Sequence, residues 1–368
     1  MNQSDACAKK QEAIEHFQFQ GTLINEKTYG NGHINDTFLL EFANPDQKVV
    51  LQRLNHQIFT KPVEVMENIE GITSYLREQI GKEGGNPNRE TLNLIKAIDE
   101  KPYYQDSIGS FWRAFYFIED AVCLEQVEKP SDFYESAVTF GHFQYMLKNY
   151  PADTLHETIP GFHDTTMRFR AFEQSVREDV CGRVKEVSPE IEFVLQRETE
   201  THVLVDLLRD GELPLRVTHN DTKLNNIMLD AKTRKGMCVI DLDTVMPGLA
   251  IYDFGDSIRF GASTAAEDEK DLSKVSCSME LFECYTRGYI EGCQGTLTKK
   301  ELEMLPMGAK LMTLECGIRF LTDYLQGDVY YKIHRPEQNL DRCRTQFKLV
   351  ADMESKWTQM KQIIEKYC

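Results

Sequence analysis

Several features that define other classes of protein are missing from this sequence. None of its ten cysteines stands in a Cys-x-x-Cys pair, so neither a metal cluster nor a disulfide framework is indicated, and free thiols are typical of the cytoplasm. No apolar run reaches the roughly 20 residues that a membrane helix requires. The opening segment from Met1 to Lys10 is polar, unlike a signal peptide. We therefore expect a cytoplasmic protein that does not enter a membrane.

Positive charge is also scarce. Lys and Arg number 42 against 59 Asp and Glu, which gives a net charge of −17. Binding to a nucleic-acid backbone requires clustered Lys and Arg, and the sequence has no such cluster, so a nucleic-acid partner is not expected. An acidic protein that binds phosphate groups must concentrate its few cations locally. This requirement draws attention to Arg53, Lys223 and Arg319.

The most informative segment spans residues 217–230 and is followed by an apolar stretch at residues 238–243. The first contains the pattern His-x-Asp-x-x-x-x-Asn, and the second carries the acidic residue Asp241. A kinase catalytic loop supplies a base, a metal-binding amide and a metal-binding carboxylate in this order. The pattern therefore predicts a site of phosphoryl transfer.

Each polar residue of this segment fits one task. Asp221 can accept the proton of an attacking hydroxyl, and Asn226 and Asp241 offer the oxygen ligands that suit Mg²⁺. Lys223 would add positive charge beside the γ-phosphate of a bound nucleotide. Because Asp221 fills the role of the base, we expect His219 to hold the loop by hydrogen bonds. The competing interpretation is a polar turn that contains these residue types by coincidence, with Asp241 merely ending a strand.

A glycine-containing turn at residues 29–38 lies where a kinase carries the lid over its phosphates. Gly30 and Gly32 would let backbone amides approach the phosphates because neither residue has a Cβ atom. The run that follows, at residues 38–42, has the character of a strand. A simple hairpin turn is the alternative, and the position of this segment ahead of the catalytic pattern favours the lid.

A further strand is predicted at residues 48–54. Arg53 stands where a kinase places the cation that pairs with the α- and β-phosphates. Leu51, two residues earlier, would lie on the same face and touch adenine. Kinases normally use Lys at this position, so Gln52 and Lys48 stay open as substitutes for Arg53.

An amphipathic helix is predicted at residues 62–80 from the spacing of its apolar residues. In a kinase small lobe this helix carries the Glu that pairs with the strand cation. We favour Glu67 for this role over Glu64 and Glu70. The alternative is that all three are solvated surface charges.

The pattern of apolar residues changes near residue 120. Strands predominate before it and end with one at residues 111–118, where the backbone around Ile118 would hold the edge of adenine. Helical periodicity predominates after it, at residues 132–148, 165–185, 189–209, 271–291 and 300–325. We therefore predict an α+β, protein-kinase-like fold with a β-rich N-terminal lobe at residues 1–118 and a mainly α-helical C-terminal lobe at residues 119–368.

The catalytic pattern, together with Ile240-Asp241-Leu242-Asp243, Gly248 and Asp253, resembles that of the aminoglycoside phosphotransferase and choline kinase superfamily. Its members carry His-Gly-Asp at the start of the loop, and Asn220 replaces the Gly here. Longer strings that begin at Tyr29, His219, Val239 and Arg319 are similar to members of the superfamily that phosphorylate N-acetylhexosamines. The resemblance covers nearly the whole chain.

The resemblance implies ATP-dependent, Mg²⁺-requiring phosphorylation of the anomeric hydroxyl of N-acetylglucosamine or N-acetylgalactosamine. It also implies that the sugar is held by Asp221 together with His33, Phe260, Arg319 and Tyr330, in a protein that we expect to be a monomer. The residues themselves leave other roles open, since Phe260 and Tyr330 could be packing residues and Arg319 could be an ion-paired helix residue.

Two other functions compete with this one. A kinase of the same superfamily acting on choline, an aminoglycoside or another sugar would keep the catalytic loop and change only the acceptor wall. An inactive nucleotide-binding protein is disfavoured because Asp221, Asn226 and Asp241 are all present. An acceptor wall of Arg319 and aromatic rings would favour a sugar, and a wall of carboxylates would favour a cationic acceptor.

Overall fold

The computed structural model describes residues 3–30, 35–56 and 58–368. The N-terminal part is built around one antiparallel sheet in the order β1-β2-β3-β6-β4, with β5 paired to β6. Its strands are β1 Thr22–Thr28, β2 Asp36–Ala43, β3 Gln47–Arg53, β4 Leu94–Ile95, β5 Tyr104–Gln105 and β6 Phe111–Tyr116. Two helices accompany the sheet, α1 Gln3–Glu15 and α2 Pro62–Lys82.

The two faces of this sheet pack against different helices. Leu51 of β3 lies opposite Ala114 of β6, and both side chains belong to a core that includes Ile14 of α1 and Phe17 just after it. Phe115, the next residue along β6, belongs instead to the larger core that contains the apolar side of α2. Because side chains alternate along a strand, odd-numbered positions of β3 face α1 and even-numbered positions face α2.

Helix α2 confirms the amphipathic helix predicted from the sequence, extended by two residues to Lys82. Pro62 occupies its first turn, where the missing N–H has no helical partner to lose. The buried amide of Asn68 donates to the carbonyls of Val245 at 3.0 Å and His156 at 2.8 Å. Both partners lie in the C-terminal part of the chain, so α2 ties the sheet to the catalytic half of the molecule.

The C-terminal part is mainly helical, with short strands around the catalytic segment. Its helices are α3 Pro130–Met146, α4 Thr165–Glu178, α5 Ser188–Leu195, α6 Val203–Arg209, α7 Ala250–Gly261, α8 Met279–Cys293, α9 Lys299–Gln326, α10 Gln338–Ser355 and α11 Trp357–Tyr367. Its strands are β7 Ala121–Val122, β8 Arg216–Thr218, β9 Ile227–Asp230, β10 Gly236–Val239 and β11 Met246–Gly248. The α+β, protein-kinase-like fold predicted from the sequence is confirmed.

Several predicted helix boundaries were wrong for local reasons. The helix predicted at residues 165–185 stops at Glu178, because Asp179 adopts a left-handed conformation with φ 40°. The helix predicted at residues 189–209 is divided into α5 and α6 by a 3₁₀ turn. The helix predicted from residue 271 begins only at Met279, after the side chain of Ser278 accepts from the amide of Leu281.

The predicted boundary between residues 118 and 119 stays a prediction. Strand β6 pairs with β3, whereas β7 pairs with β9. In the described ranges, no helix combines the length and the apolar character needed to cross a membrane. The nine cysteines whose side chains are described are free thiols.

Helices α7 and α9 cross at a contact that only glycine allows. A Cβ atom at Gly255 of α7 would overlap the backbone carbonyl of Gly308 on α9, and one at Gly308 would come within 2.7 Å of the carbonyl of Ile251. Backbone atoms cannot move aside as a flexible side chain can. The crossing therefore fixes the distance between the two helices that line the catalytic region.

We expect Gly255→Ala to lower the free energy of unfolding by about 1–3 kcal/mol, because the added methyl group must push α7 away from α9. Gly81→Ala is the matched control, since a Cβ atom at this helical position of α2 meets no atom within 4 Å. This control should be neutral or stabilising by about 1 kcal/mol through helix propensity. Urea unfolding measures both variants, and equal effects would contradict the close crossing.

Candidate active site

The catalytic loop connects β8 to β9 and holds Asp221 by both of its carboxylate oxygens. Lys223 Nζ lies 2.8 Å from Asp221 Oδ1, and the Asn226 side-chain amide donates to Asp221 Oδ2 at 3.2 Å and to the Asp221 carbonyl at 2.8 Å. The negative charge of Asp221 raises the pKa of Lys223. The structure therefore brings together three of the predicted site residues, with a cation beside the proposed base.

His219 is a structural residue, as predicted. It is fully buried, its Nε2 lies 2.8 Å from the carbonyl of Ile240, and its Nδ1 accepts from the amide of Asp221 at 3.3 Å. Its ring meets Phe140 and Phe143 edge to face. Both ring nitrogens are engaged in holding the backbone, which leaves proton acceptance to Asp221.

A buried carboxylate on α7 supports the loop from beneath. Asp253 is only 1% exposed, and its oxygens accept from the backbone amides of His219 at 3.0 Å and Asn220 at 2.8 Å. The side-chain amide of Gln144 donates to the same carboxylate at 2.9 Å. Burial raises the pKa of Asp253, and the hydrogen bonds from these three donors oppose that rise. Asp253 is part of the sequence pattern that resembles the superfamily, but its support of the loop was not predicted.

Asn220 departs from the Gly of the superfamily pattern for a reason that the backbone makes clear. Its φ is 65°, in the left-handed region that Gly tolerates best and Asn tolerates better than other residues. Its side-chain amide also donates to the carbonyl of Thr244 at 2.8 Å. The substitution thus keeps the required turn and adds one hydrogen bond to it.

Asp241 is placed where its charge is costly unless a cation is near. It also has a positive φ of 59°, and burial, with the nearby charges of Asp243 and Asp221, raises its pKa to about 7. The side-chain nitrogen of Asn226 donates to Asp221, and the side-chain oxygen of Asn226 accepts no hydrogen bond from the described residues. The Asn226 amide oxygen and the Asp241 carboxylate are oxygen donors that fit Mg²⁺.

Among the described residues, no group of three or more His, Cys, Asp and Glu side chains has the geometry of a metal site. Mg²⁺ in phosphoryl-transfer sites is held by one or two carboxylates together with phosphate oxygens and water. The predicted ligands Asn226 and Asp241 agree with that small number of protein donors, and their binding of Mg²⁺ stays a prediction.

A buried ion pair joins the N-terminal sheet to the turn after Asp241. Arg113 of β6 pairs with Asp243, and both side chains are under 5% exposed. Gln52 accepts from Arg113 Nε at 2.9 Å, and Asn35 donates to Asp243 at 2.7 Å. Sequence reasoning missed Arg113, although an arginine inside the apolar strand Phe111–Tyr116 was a visible signal.

Aromatic rings surround the predicted sugar-binding residue Arg319 on α9. Its guanidinium lies 5.1 Å from the ring centre of Phe162, 5.7 Å from that of Tyr331 and 6.0 Å from that of Tyr330. The structure thus brings Arg319 and Tyr330 together, and their contact with a sugar stays a prediction. Phe162 and Tyr331 are additions that the sequence did not indicate. Phe260 is half-buried on α7.

A histidine links this aromatic group to the catalytic loop. His163 Nδ1 lies 2.9 Å from a carboxylate oxygen of Glu315, one helical turn before Arg319, and its Nε2 lies 3.3 Å from the carbonyl of Asn220. Asn220 directly precedes Asp221. The Arg319 region and the proposed base are therefore parts of one connected site.

Comparison with known proteins identifies the family. Residues 27–273, more than half of the chain, match the phosphotransferase enzyme family, APH. The chain belongs to this family. This result agrees with the resemblance to aminoglycoside phosphotransferases found in the sequence.

Solved structures share the fold over almost the whole chain. A microcompartment-associated aminopropanol kinase gives a TM-score of 0.64 at 16% identity, with 96% of this chain and 98% of that chain covered. A spectinomycin phosphotransferase in complex with ADP and spectinomycin gives 0.57 at 10% identity, with 96% and 98% covered. Choline kinase from Cryptosporidium parvum Iowa II gives 0.54 at 14% identity, with 94% and 92% covered.

In this phosphotransferase, the structure does not support the predicted contact of Leu51 with adenine. Leu51, predicted to touch adenine, is fully buried on the α1 face of the sheet, because alternation along β3 places it opposite to Gln52. Arg53 shares the face of Leu51 by the same alternation and pairs with Asp36, its register partner on β2. The contact of Arg53 with phosphates stays a prediction, and Gln52 is the neighbour that faces Arg113.

The predicted pairing of Glu67 with Arg53 was also wrong. Glu67 lies 2.7 Å from Nε2 of His156. The other two candidates on α2 contact lysines, Glu64 with Lys61 at 3.0 Å and Glu70 with Lys96 at 3.2 Å. In this phosphotransferase, Asn68 and Glu67 join the helix to residues of the catalytic half.

The remaining nucleotide-binding predictions stay predictions. Ile118 is buried, and its backbone amide and carbonyl take no part in the hydrogen bonds found between described residues, which suits a hinge. Gly30 has a φ of 77°, and a Cβ atom added there would meet no atom of the described residues within 4 Å, which suits a phosphate lid. Gly32 and the predicted sugar ligand His33 lie outside the described residues.

We expect Asp221→Asn to lower kcat by about 10² to 10⁴-fold, the range for loss of a general base, while nucleotide affinity stays close to that of the unchanged protein. Asp241→Ala should instead weaken Mg²⁺-dependent nucleotide binding, because it removes a metal ligand. Calorimetric titration with a non-hydrolysable ATP analogue separates the two effects. Near-normal turnover of Asp221→Asn would contradict the assignment of the base.

The left-handed turn at Asn220 gives a second expectation for the loop. Asn220→Ala should lower the free energy of unfolding by about 2 kcal/mol, because it adds backbone strain and removes a hydrogen bond. Asn220→Gly, the residue of the superfamily pattern, should lose about 1 kcal/mol or less. Urea unfolding tests the order, and an alanine variant as stable as the glycine variant would show that the turn is not strained.

Proposed function

We propose that this phosphotransferase is an N-acetylhexosamine 1-kinase. It transfers the γ-phosphoryl group of ATP to the anomeric hydroxyl of N-acetylglucosamine or N-acetylgalactosamine and releases the sugar 1-phosphate and ADP. We further propose that it acts as a monomer in the cytoplasm. The proposal is supported by the long sequence strings shared with such kinases and by the chemistry of the residues around Arg319.

The single observation that carries the proposal is the group formed by Arg319 and the three rings around it. A guanidinium can donate hydrogen bonds to sugar hydroxyls or to an acetamide oxygen. Tyrosine and phenylalanine rings can cover the apolar face of a sugar. Arg319 is 17% exposed and Tyr330 is 63% exposed, so a ligand in this region can reach both.

The charges near Arg319 favour a neutral acceptor. Glu315 is paired with His163 and lies 4.0 Å from Arg319, and Asp256 is paired with Arg259. A cationic acceptor such as choline or an aminoglycoside is best recognised by carboxylates that lack a cation. The alternative, a kinase of the superfamily that acts on another small hydroxyl compound, keeps support from the aminopropanol kinase, choline kinase and spectinomycin phosphotransferase folds.

The loop residues have distinct tasks in the proposed reaction. Asp221 orients the anomeric hydroxyl and takes its proton as the new P–O bond forms and the bond to the β-phosphate oxygen breaks. Lys223 keeps Asp221 in place and adds positive charge near the transferred group. Asn226 and Asp241 would hold Mg²⁺, which supplies neutralisation of the phosphate charges when bound. No covalent enzyme intermediate is required.

The test of the proposal is an acceptor screen with ATP and Mg²⁺ over N-acetylhexosamines, free hexoses, choline and aminoglycosides, with the product position read by phosphorus NMR. We expect N-acetylhexosamines to give the highest kcat/KM and an anomeric phosphate. Arg319→Ala should raise the KM for the sugar by about 10 to 100-fold, as expected for lost polar contacts, and leave the KM for ATP unchanged.

Arg344→Ala is the matched control for this variant. Arg344 pairs with Glu190 at 2.6 Å, so its removal also breaks an ion pair but leaves the Arg319 group intact. A preference for choline or an aminoglycoside, or phosphate on another sugar hydroxyl, would replace the proposal by its alternative.

A further inference from the structure

Helix α9 carries three charged residues on the side that faces the site. Glu315, Arg319 and Asp323 follow one another at intervals of four, so they lie on one face of the helix. Glu315 contacts His163, and Arg319 lies among the aromatic rings. Asp323 continues the row, and its partners include backbone amides of the segment that follows the helix, which indicates a separate task.

Asp323 is a buried carboxylate that binds consecutive backbone amides. One oxygen accepts from Val329 at 2.9 Å and Tyr330 at 2.7 Å, and the other accepts from Tyr331 at 2.9 Å. The side-chain amide of Asn339 on α10 adds a fourth bond at 2.8 Å. Asp323 is only 3% exposed. Hydrogen bonds from this many donors fix the path of the backbone that supplies them.

The segment held in this way is the loop of residues 327–331, which follows α9. It starts at Gly327, whose φ of 97° ends the helix. The carboxylate of Asp328, within this loop, accepts from Arg183 at 2.8 Å and from Asn339 at 2.9 Å, and these bonds hold the loop at a second point. The loop nevertheless exposes 75% of Val329 and 63% of Tyr330. The loop therefore presents Tyr330 to solvent from a backbone that is held at two points, with the ring centre of Tyr330 6.0 Å from the guanidinium of Arg319.

We propose that Asp323 is a positioning residue for the acceptor, which acts by holding the loop of residues 327–331 so that Tyr330 stands beside Arg319. The inference rests on the proposed function only in assigning the acceptor to this wall. Asp323 itself touches no acceptor. Its carboxylate is required because an asparagine of the same size has one oxygen and one NH₂ group, and an NH₂ group cannot accept a bond from a backbone amide.

The variant Asp323→Asn tests this role, with Asp132→Asn as the matched control. Asp132 is also a buried carboxylate, and it pairs with Arg234 at 2.8 Å, away from α9. Hydrogen–deuterium exchange should show faster exchange in residues 327–331 of Asp323→Asn and unchanged exchange there in Asp132→Asn. Unchanged exchange of this segment in both variants would overturn the proposal, whatever the acceptor is.

Steady-state kinetics then test whether the loop serves the acceptor. We expect Asp323→Asn to raise the KM for the acceptor by about 10-fold, the loss that corresponds to one or two hydrogen bonds, while the KM for ATP stays the same. Tyr330→Ala should have a similar effect, and the double variant should be no worse than the single ones because both changes remove the same wall. Multiplied effects, or an unchanged acceptor KM, would overturn the positioning role.

The two proposals fail in different ways. If another compound proves to be the acceptor, the N-acetylhexosamine assignment fails, and the same variants are measured with that compound. A raised KM for it together with faster exchange in residues 327–331 supports the role of Asp323. Faster exchange with an unchanged KM for the acceptor limits Asp323 to stabilising the loop and overturns its role in the site.

Discussion

The buried carboxylate of Asp253 is the contact on which the rest of the site depends. It accepts from two successive amides of the catalytic loop and from Gln144 on α3. Removing a charge from water is costly unless several donors compensate it, so this position can be filled by an aspartate only when the loop takes the shape that supplies them. The backbone of His219 and Asn220 is thereby fixed, and with it the position of Asp221, the next residue.

The same helix extends this constraint to the whole C-terminal part. Asp253 lies on α7, and α7 crosses α9 at the glycines that bring their backbones together. Helix α9 in turn carries Arg319, Glu315 and Asp323. Asp253, which supports the loop of the proposed base, and Arg319 therefore lie on two helices whose separation is set by backbone contact. His163 joins the loop to α9 a second time, through Glu315 and the Asn220 carbonyl.

The N-terminal sheet is connected to this framework by polar contacts. Arg113 reaches from β6 to Asp243, two residues after the proposed metal ligand Asp241. Asn35, which follows the glycine-containing turn, donates to the same carboxylate. The cost of burying Arg113 and Asp243 is offset only when both partners are in place. A shift of the sheet would therefore move Asp243 and the turn that directly follows Asp241.

The proposed catalytic residues could be recognised in the sequence because the chemistry sets their spacing along one loop. Asp221, Asn226 and Lys223 are close in the chain and close in space. Strand and helix types were also predictable where the periodicity was regular, as in α2. Helices α7 and α10 were missed because α7 buries its charged residues Asp253, Asp256 and Arg259 together with its apolar ones, unlike a surface helix, and because polar residues open α10.

Contacts between distant segments could not be predicted in the same way. Leu51 was assigned to a face that would meet adenine, whereas it is buried in the core beside α1. The choice of face depends on which helix covers which side of the sheet, and α1 was not predicted. Three contacts depend on partners that only the three-dimensional packing fixes. They are Arg113 with Asp243, His163 with Glu315, and Asp323 with the loop of residues 327–331. A sequence pattern shows such residues as isolated charges.

The most direct measurement is a crystal structure of the protein with a non-hydrolysable ATP analogue, Mg²⁺ and an N-acetylhexosamine. The account predicts that the anomeric oxygen lies within hydrogen-bond distance of Asp221 and in line with the γ-phosphorus. It also predicts the metal between Asn226 and Asp241, and the sugar against Arg319 and Tyr330. A sugar bound elsewhere, or a triphosphate from which Asp221, Asn226 and Asp241 point away, would contradict it.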